Sequence, residues 1–169
     1  NGQTGIYLSG MNSICTGNIC EGNGTNANFD YASDVLIIDA RNAIVSNNVV
    51  FGNSPKFNIV ILSSEKVMFF NNSIHAMKGS ELTSLLIKDS SIVQVGHNVI
   101  NSVSRERRVN IIGNDTKRNF EIRFNDNIVD GANNGYSQVE FNHVTTFTFK
   151  NNLLLGNTLV NKSFVDNEM

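Results

Sequence analysis

Apolar residues alternate with polar residues along most of the chain, and the alternation recurs in six similar stretches. Each stretch is centred on one asparagine, with an apolar or small residue three positions before it and an apolar residue two positions after it. The six asparagines are Asn18, Asn48, Asn72, Asn98, Asn127 and Asn152. Because positions two apart share one face of a β-strand, each stretch predicts short strands on both sides of a bend. Recurrence every 24 to 30 residues predicts a repeat architecture with one repeat per turn.

The recurring asparagine predicts a side-chain ladder. Asparagine adopts the left-handed backbone region at low cost, so it suits a sharp bend between two strands. If successive repeats stack at the ~4.8 Å spacing of hydrogen-bonded strands, each amide can donate to the asparagine of the next repeat. We therefore expect a buried column of amides that satisfy one another, with loops of variable length outside the repeated stretches.

The order of strand, short turn, strand, asparagine bend, strand and long loop resembles the right-handed parallel β-helix of the pectin-lyase-like superfamily. That superfamily includes pectate lyases, polygalacturonases, alginate epimerases and bacteriophage tailspikes, and the resemblance is greatest to a tailspike segment. It implies an all-β, single-stranded parallel β-helix of about six rungs over residues 1–157. Residues 158–169 would then form a partial rung, a cap or a tail. No catalytic signature of a single family accompanies this resemblance of fold.

Composition narrows the function classes. The 169 residues carry a net charge of −2 and are 40% hydrophobic, which suffices for one domain and gives no basic excess for nucleic acid. The sequence has no run of eighteen apolar residues, so no membrane span is predicted. The chain does not begin with methionine and its first rung would be uncovered, so we expect the C-terminal part of a longer protein. We predict an extracellular or virion-surface location.

Two cysteines, Cys15 and Cys20, fall on inward columns of the same rung. They are expected to be small buried hydrophobic residues, with a disulfide as the alternative. A metal pair is disfavoured because no His or Cys partners lie nearby in the sequence. We predict neither a metal nor another cofactor.

The resemblance implies a polysaccharide groove on the outer face, so outward columns rich in carboxylates are candidate catalytic sites. The column nine residues before the asparagine contains Asp39, Asp89 and, after a three-residue insertion, Asp115. Asp89 would lie two rungs, about 10 Å, from Asp39 and one rung, about 5 Å, from Asp115. Inverting glycosidases separate their carboxyl groups by roughly 6.5 to 9.5 Å and retaining ones by about 5 to 5.5 Å. Either pair could be catalytic, or these aspartates could only hydrogen-bond the turn.

Two further groups are candidates for substrate binding. Three residues after the asparagine, Glu21 and His75 align with Phe51 between them, and this column could bind a sugar or be a mixed solvated face. One loop contains three arginines that could bind the carboxylates of an acidic glycan or form salt bridges. These arginines are Arg105, Arg107 and Arg108.

An apolar stripe is predicted on the outside of the second strands. Ile14, Ile44 and Met68 stand on outward positions of successive rungs. Such a stripe requires cover, either from a loop or from a neighbouring subunit. Because tailspike β-helices associate side by side, the resemblance implies a homotrimer.

These features predict a polysaccharide-binding or polysaccharide-degrading segment of a phage tailspike-like protein. If it is catalytic, one carboxyl group would protonate the glycosidic oxygen and a second would activate water. One alternative is a non-catalytic structural segment of a viral fibre or adhesin. Another is a polysaccharide lyase or epimerase, which would leave different products.

Overall fold

The computed structural model describes residues 4–26, 28–52, 56–76, 83–102, 108–113, 121–131, 139–155 and 160–163. Rungs one and two contain β1 (Thr4–Met11), β2 (Ile14–Thr16), β3 (Ile19–Glu21), β4 (Ser33–Arg41), β5 (Ile44–Ser46) and β6 (Val49–Gly52). Rungs three and four contain β7 (Phe57–Leu62), β8 (Glu65–Phe70), β9 (Ser73–Ala76), β10 (Thr83–Lys88), β11 (Ser91–Gly96) and β12 (Val99–Ser102). Rungs five and six contain β13 (Val109–Ile112), β14 (Ile122–Asn125), β15 (Ile128–Gly131), β16 (Val139–Asn142), β17 (Phe147–Lys150) and β18 (Leu153–Leu155), and β19 (Val160–Ser163) follows them.

Equivalent strands of successive rungs pair in parallel. The first strands pair in the order β1–β4–β7–β10–β13–β16–β19. The third strands form a separate sheet in the order β3–β6–β9–β12–β15–β18. The second strands stack in the same way, and the pairing of Arg41 with Glu65 joins them to the first strands. The predicted all-β parallel β-helix of about six rungs is therefore confirmed.

Inward positions of all three strand sets form one continuous core. On the first strands, Ile37, Ile61, Ile87 and Ile111 stack in register and are fully buried. Each such side chain contributes about 1.5–3 kcal/mol by leaving water. Cys15 and Cys20 lie in the same core with free thiols.

The predicted asparagine ladder is present. Asn18 Nδ2 donates to Asn48 Oδ1 at 2.9 Å, and the same bond links each later pair at 2.9 to 3.1 Å. Each accepting Oδ1 also accepts a hydrogen bond from the backbone N–H of the preceding ladder asparagine. The second Nδ2 hydrogen of each buried ladder asparagine goes to a carbonyl of the previous rung. A buried amide in this column therefore has every hydrogen-bonding group satisfied.

The sequence predicts that the ladder asparagine adopts the left-handed conformation at the bend, and this prediction is wrong. The residue before the ladder asparagine adopts it instead. These bend residues are Gly17, Asn47, Asn71, His97, Asp126 and Asn151, with φ between 54° and 69°. The two roles separate because the ladder amide must point inward to be buried. The neighbouring residue points outward, where its side chain is solvated while its backbone makes the turn.

Candidate functional site

The outward positions of the first strands form an apolar floor. Leu36, Val60 and Leu86 lie in register on β4, β7 and β10, and all three side chains are buried. They belong to a second hydrophobic cluster, separate from the core inside the helix. A sheet face that is apolar on its outer side requires cover, and the covering residues shape a groove.

Part of this cover comes from an aromatic loop between β3 and β4, residues 22–26 and 28–32. At its base Gly24 has φ +65°, and a Cβ there would lie 2.6 Å from the backbone nitrogen of Ser33. Ser33 Oγ donates to the Tyr31 carbonyl at 3.1 Å, and Lys56 Nζ donates to the Phe29 carbonyl at 2.9 Å. These contacts fix the loop over the first strands.

Tyr31 crosses the groove from rung two to rung four. Its ring stacks on Phe57 with centroids 6.3 Å apart and planes at 29°. Lys88 Nζ donates to Tyr31 Oη at 3.2 Å and lies 5.8 Å from the centroid of the ring. Tyr31 therefore joins elements that are far apart in the sequence.

Two cavities flank Tyr31 along the helix axis, and together they form what we call the outer groove. The larger, about 560 Å³, is lined by Tyr7, Phe29, Tyr31 and Leu36 among others. The smaller, about 290 Å³, is lined by Tyr31, Phe57, Leu86, Lys88 and Asn110 among others. An elongated groove with aromatic walls and a few polar groups is typical of a ligand site.

Lys88 gives the smaller cavity a positive charge. Within the described ranges, the ion pairs join Glu65 to Arg41 and Lys66, and none involves Lys88. The Asn110 side chain lines the same cavity, and its Oδ1 has no hydrogen-bond partner. The cavity therefore combines an uncompensated ammonium group with a buried amide oxygen that has no hydrogen-bond partner.

The predicted carboxylate column lies at the corner that follows the first strands. Asp39, Ser63 and Asp89 all adopt left-handed backbone conformations, with φ between 49° and 51°. Backbone bonds hold the corner, since Ser63 N–H donates to the Lys88 carbonyl at 3.0 Å. These residues line a corner groove of about 450 Å³ beside the outer groove. Two rungs separate Asp39 from Asp89, or about 10 Å at the spacing of paired strands.

The register excludes Asp115 from the place predicted for it in this column. Lys88 pairs with Ile112, so Gly113 follows Asp89 on the next rung, and its N–H donates to the Asn142 carbonyl at 2.9 Å. The insertion in rung five is thus longer than the three residues expected. Asp115 itself lies outside the described residues.

Sequence reasoning missed two features of the corner. Arg41 and Glu65 are in register and form an ion pair at 2.8 Å in the corner groove. Inside the corner, Ser64 Oγ accepts the Ala40 N–H at 3.2 Å, and Ser90 Oγ accepts the Ser64 N–H at 3.1 Å. Arg41 and Glu65 each stand seven residues before a ladder asparagine, and Ser64 and Ser90 each stand eight before one, so alignment of the repeats could have found both features.

Glu21 and His75 lie on the third strands, in register with Phe51 between them as predicted. The rings of Phe51 and His75 stack on each other, with centroids 5.5 Å apart and planes at 22°. His75 Nε2 also contacts Ser73 Oγ at 2.7 Å. Each ring gives one face to the other, which leaves less ring surface for a sugar than predicted.

The arginine cluster does not form an exposed site in the described part of the chain. Arg108 is 1% exposed, and its contact with a ligand stays a prediction. Burial lowers the pKa of the Arg108 guanidinium, and the charge of Asp130 opposes that change. Arg105 and Arg107 lie outside the described residues.

A buried acid lies at the base of the aromatic loop. Asp34 is fully buried, and its Oδ1 accepts the Asn23 N–H at 3.1 Å. Its Oδ2 has no hydrogen-bond partner, and the facing Asn58 amide does not reach hydrogen-bonding geometry. Burial raises the pKa of Asp34 to about 6, against the opposing effect of the neighbouring Asn23 and Asn58.

The described ranges contain no group of three or more His, Cys, Asp or Glu side chains placed to hold a metal ion. The same ranges contain no helix that is long and apolar enough to span a membrane.

Comparison with known proteins finds similarity at the level of fold. No family model matches the sequence, and no curated protein matches it. The A-module of mannuronan C-5 epimerase AlgE4 from Azotobacter vinelandii superposes with a TM-score of 0.65 at 12% identity, over 96% of this chain and 52% of that one. The periplasmic alginate epimerase AlgG superposes with a TM-score of 0.60 at 15% identity, over 96% of this chain and 36% of that one. This chain therefore spans about half or less of each solved chain, and shares with them the parallel β-helix fold.

Proposed function

We propose that this chain binds an acidic polysaccharide in the outer groove. The observation that carries the proposal is Lys88, an ammonium group without a carboxylate partner in the described ranges, on a wall shared with Tyr31 and Phe57. Aromatic rings offer apolar surface to the faces of sugar rings, and an ammonium forms a charge-assisted hydrogen bond to a carboxylate. The names of both fold neighbours, epimerases of mannuronan and of alginate, support a polysaccharide as the ligand.

Calorimetry with carboxylated and neutral oligosaccharides tests this proposal. Lys88→Met should weaken binding of the carboxylated ligand by roughly 10-fold or more, the effect of one charge-assisted bond. Lys150→Met, an exposed lysine at the end of β17, is the matched control and should leave binding unchanged. Failure of the unaltered protein to bind any carboxylated oligosaccharide would sink the proposal.

For the chemistry, we propose hydrolysis by Asp39 and Asp89 at the edge of the outer groove. Asp89 directly follows Lys88, and Asp39 stands two rungs away at the same corner. Their separation of about 10 Å lies just above the range of roughly 6.5 to 9.5 Å for inverting glycosidases, and it leaves room for a water between acid and base. Release of reducing ends should stop in Asp39→Asn and Asp89→Asn. Asparagine keeps the left-handed backbone accessible, so the corner should survive both changes.

A lyase or epimerase is the second candidate, favoured by the two epimerase neighbours. In that chemistry Lys88 would bind the carboxylate of a uronate while the proton on the adjacent carbon is removed. Elimination would leave an unsaturated sugar that absorbs in the near ultraviolet, and epimerisation in heavy water would incorporate deuterium at that carbon. A structural segment of a viral fibre or adhesin would give none of these products.

We further propose that the chain works outside the cell, as in a tailspike-like virion protein, and assembles as a homotrimer. Ile14, Ile44 and Met68 are 66%, 37% and 42% exposed in a line along the second strands. Packing against a neighbouring subunit would remove this apolar surface from water. Light scattering should give three times the chain mass, and Ile44→Lys should give the monomer mass. A monomer for the unaltered protein would refute the assembly.

A further inference from the structure

We propose that the Tyr31 hydroxyl is a positioning group, which holds the Lys88 ammonium over the smaller cavity without neutralising its charge. This inference rests on the proposed function and explains how the outer groove would select acidic over neutral sugars. The central observation is the 3.2 Å bond from Lys88 Nζ to Tyr31 Oη between residues 57 positions apart in the sequence.

Tyr31 is held firmly enough to orient another side chain. Its ring stacks on Phe57, and its carbonyl accepts from Ser33 Oγ at 3.1 Å. The close packing of Gly24 against Ser33 fixes the base of the loop that carries it. The hydroxyl therefore stands at a defined place above the groove floor.

Lys88 by itself would not be so fixed, because its ammonium ends a flexible four-carbon chain. The group has three donors, of which the bond to Tyr31 uses one. The ring itself adds little, because Nζ lies 3.2 Å from Oη but 5.8 Å from the ring centroid, beyond the hydroxyl end of the ring and not over its face. Two donors remain for a ligand.

The Lys88 ammonium keeps its full charge because its partner, the Tyr31 hydroxyl, is neutral. A carboxylate in place of Tyr31 would hold the ammonium equally well but would cancel its charge, as Glu65 does for Arg41 in the corner groove. A phenol hydroxyl is a neutral acceptor, so the full positive charge stays available to the ligand. Prepositioning of the charged group also lowers the entropy lost on binding.

The same geometry locates the sugar. Lys88 and Asn110 both line the smaller cavity, and their strands β10 and β13 are neighbours. An acidic sugar there would place its carboxylate on Lys88 and a hydroxyl near the Asn110 amide, with the Tyr31 and Phe57 rings as one wall. One carboxylated sugar unit would thus occupy the part of the groove beyond Tyr31.

The test is a double-mutant cycle of Tyr31→Phe and Lys88→Met, with affinities measured for a carboxylated oligosaccharide and for its carboxyl-reduced counterpart. Tyr31→Phe keeps the ring and should weaken binding of the carboxylated ligand roughly threefold to tenfold, the worth of one hydrogen bond. It should leave the reduced ligand unaffected and add nothing in the Lys88→Met background. Thr16→Val, which removes an exposed hydroxyl on β2 away from the outer groove, is the control and should change neither affinity.

Two results would overturn the inference: equal weakening of both ligands by Tyr31→Phe, or an additive effect with Lys88→Met. If the unaltered protein binds neither ligand, the proposed function fails but the contact can still be measured. The Lys88 ammonium protons should then exchange slowly with water by NMR in the unaltered protein and quickly in Tyr31→Phe. Equal exchange rates would refute the positioning role by itself.

Discussion

The buried carboxyl group of Asp34 gives the most quantitative prediction. Asp34 is fully buried, and only its Oδ1 has a hydrogen-bond partner, the N–H of Asn23. Burial raises its pKa from an ordinary value of 3.8 to about 6. Substitution Asp34→Asn removes the ionisable group, keeps the shape of the side chain and retains an oxygen for the Asn23 N–H.

The magnitude follows from proton linkage. A difference between 3.8 and about 6 corresponds to about 3 kcal/mol of folding free energy. Because the folded state holds the Asp34 proton more tightly than the unfolded state, protonation favours folding. That contribution is fully present below about pH 3.8 and is lost as the pH rises through about 6. At pH 7 the ionised, buried carboxylate therefore destabilises the native protein.

Urea unfolding of the unaltered protein and of Asp34→Asn between about pH 4 and pH 7.5 measures the effect. We expect nearly equal stabilities at the acid end and an advantage for Asp34→Asn that grows to about 3 kcal/mol at pH 7.5. The difference between the two proteins isolates Asp34 from other groups that titrate. Asp30→Asn, an exposed aspartate of the same loop, is the control and should show no such trend. A constant difference across the pH range would refute the reasoning.

Three further predictions concern stability. Asn72→Ala should lower the free energy of unfolding in urea by about 3 kcal/mol or more, because two buried donors of Asn48 lose their acceptor. A decrease below about 1 kcal/mol would contradict the stabilising role of the ladder. Ile92→Asn should raise the free energy of unfolding by about 1 kcal/mol, since a β-branched residue at φ +54° is strained. A lower free energy of unfolding would show that the packing of the Ile92 side chain outweighs the backbone strain. Gly52→Ala should lower the melting temperature, because its Cβ would overlap the Asn58 amide, and an unchanged value would mean that Asn58 moves away freely.

The features that sequence could predict are those that repeat. Each rung contacts mainly the rungs above and below it, so one offset from the ladder asparagine places a residue inside or outside throughout the helix. The amide ladder, the register of Glu21 with Phe51 and His75, and the common corner of Asp39 and Asp89 were all predicted from this regularity. Local periodicity was sufficient because stacking preserves it.

The features that sequence missed depend on irregular segments or on backbone geometry, neither of which the alternation of apolar and polar residues reports. Gly113, rather than Asp115, follows Asp89 because the length of an irregular turn does not obey the period. Arg108 is buried instead of solvated because it stands directly before β13, where its carbonyl accepts the Leu85 N–H and continues the pairing of the first strands. Backbone geometry likewise decided that Asn47, and not the ladder residue Asn48, makes the left-handed bend.

The sequence by itself therefore determined the β-helix, its rungs, its core and its ladder, because a strand period of two and a recurring asparagine are local signals that stacking amplifies. Only the tertiary structure decided where the outer groove lies. In the sequence, its floor residues Leu36, Val60 and Leu86 look like those of any other strand. The floor becomes part of a groove because Tyr31 lies across it and bonds to Lys88. That contact joins a loop to a strand two rungs away, a distance that no repeating pattern encodes.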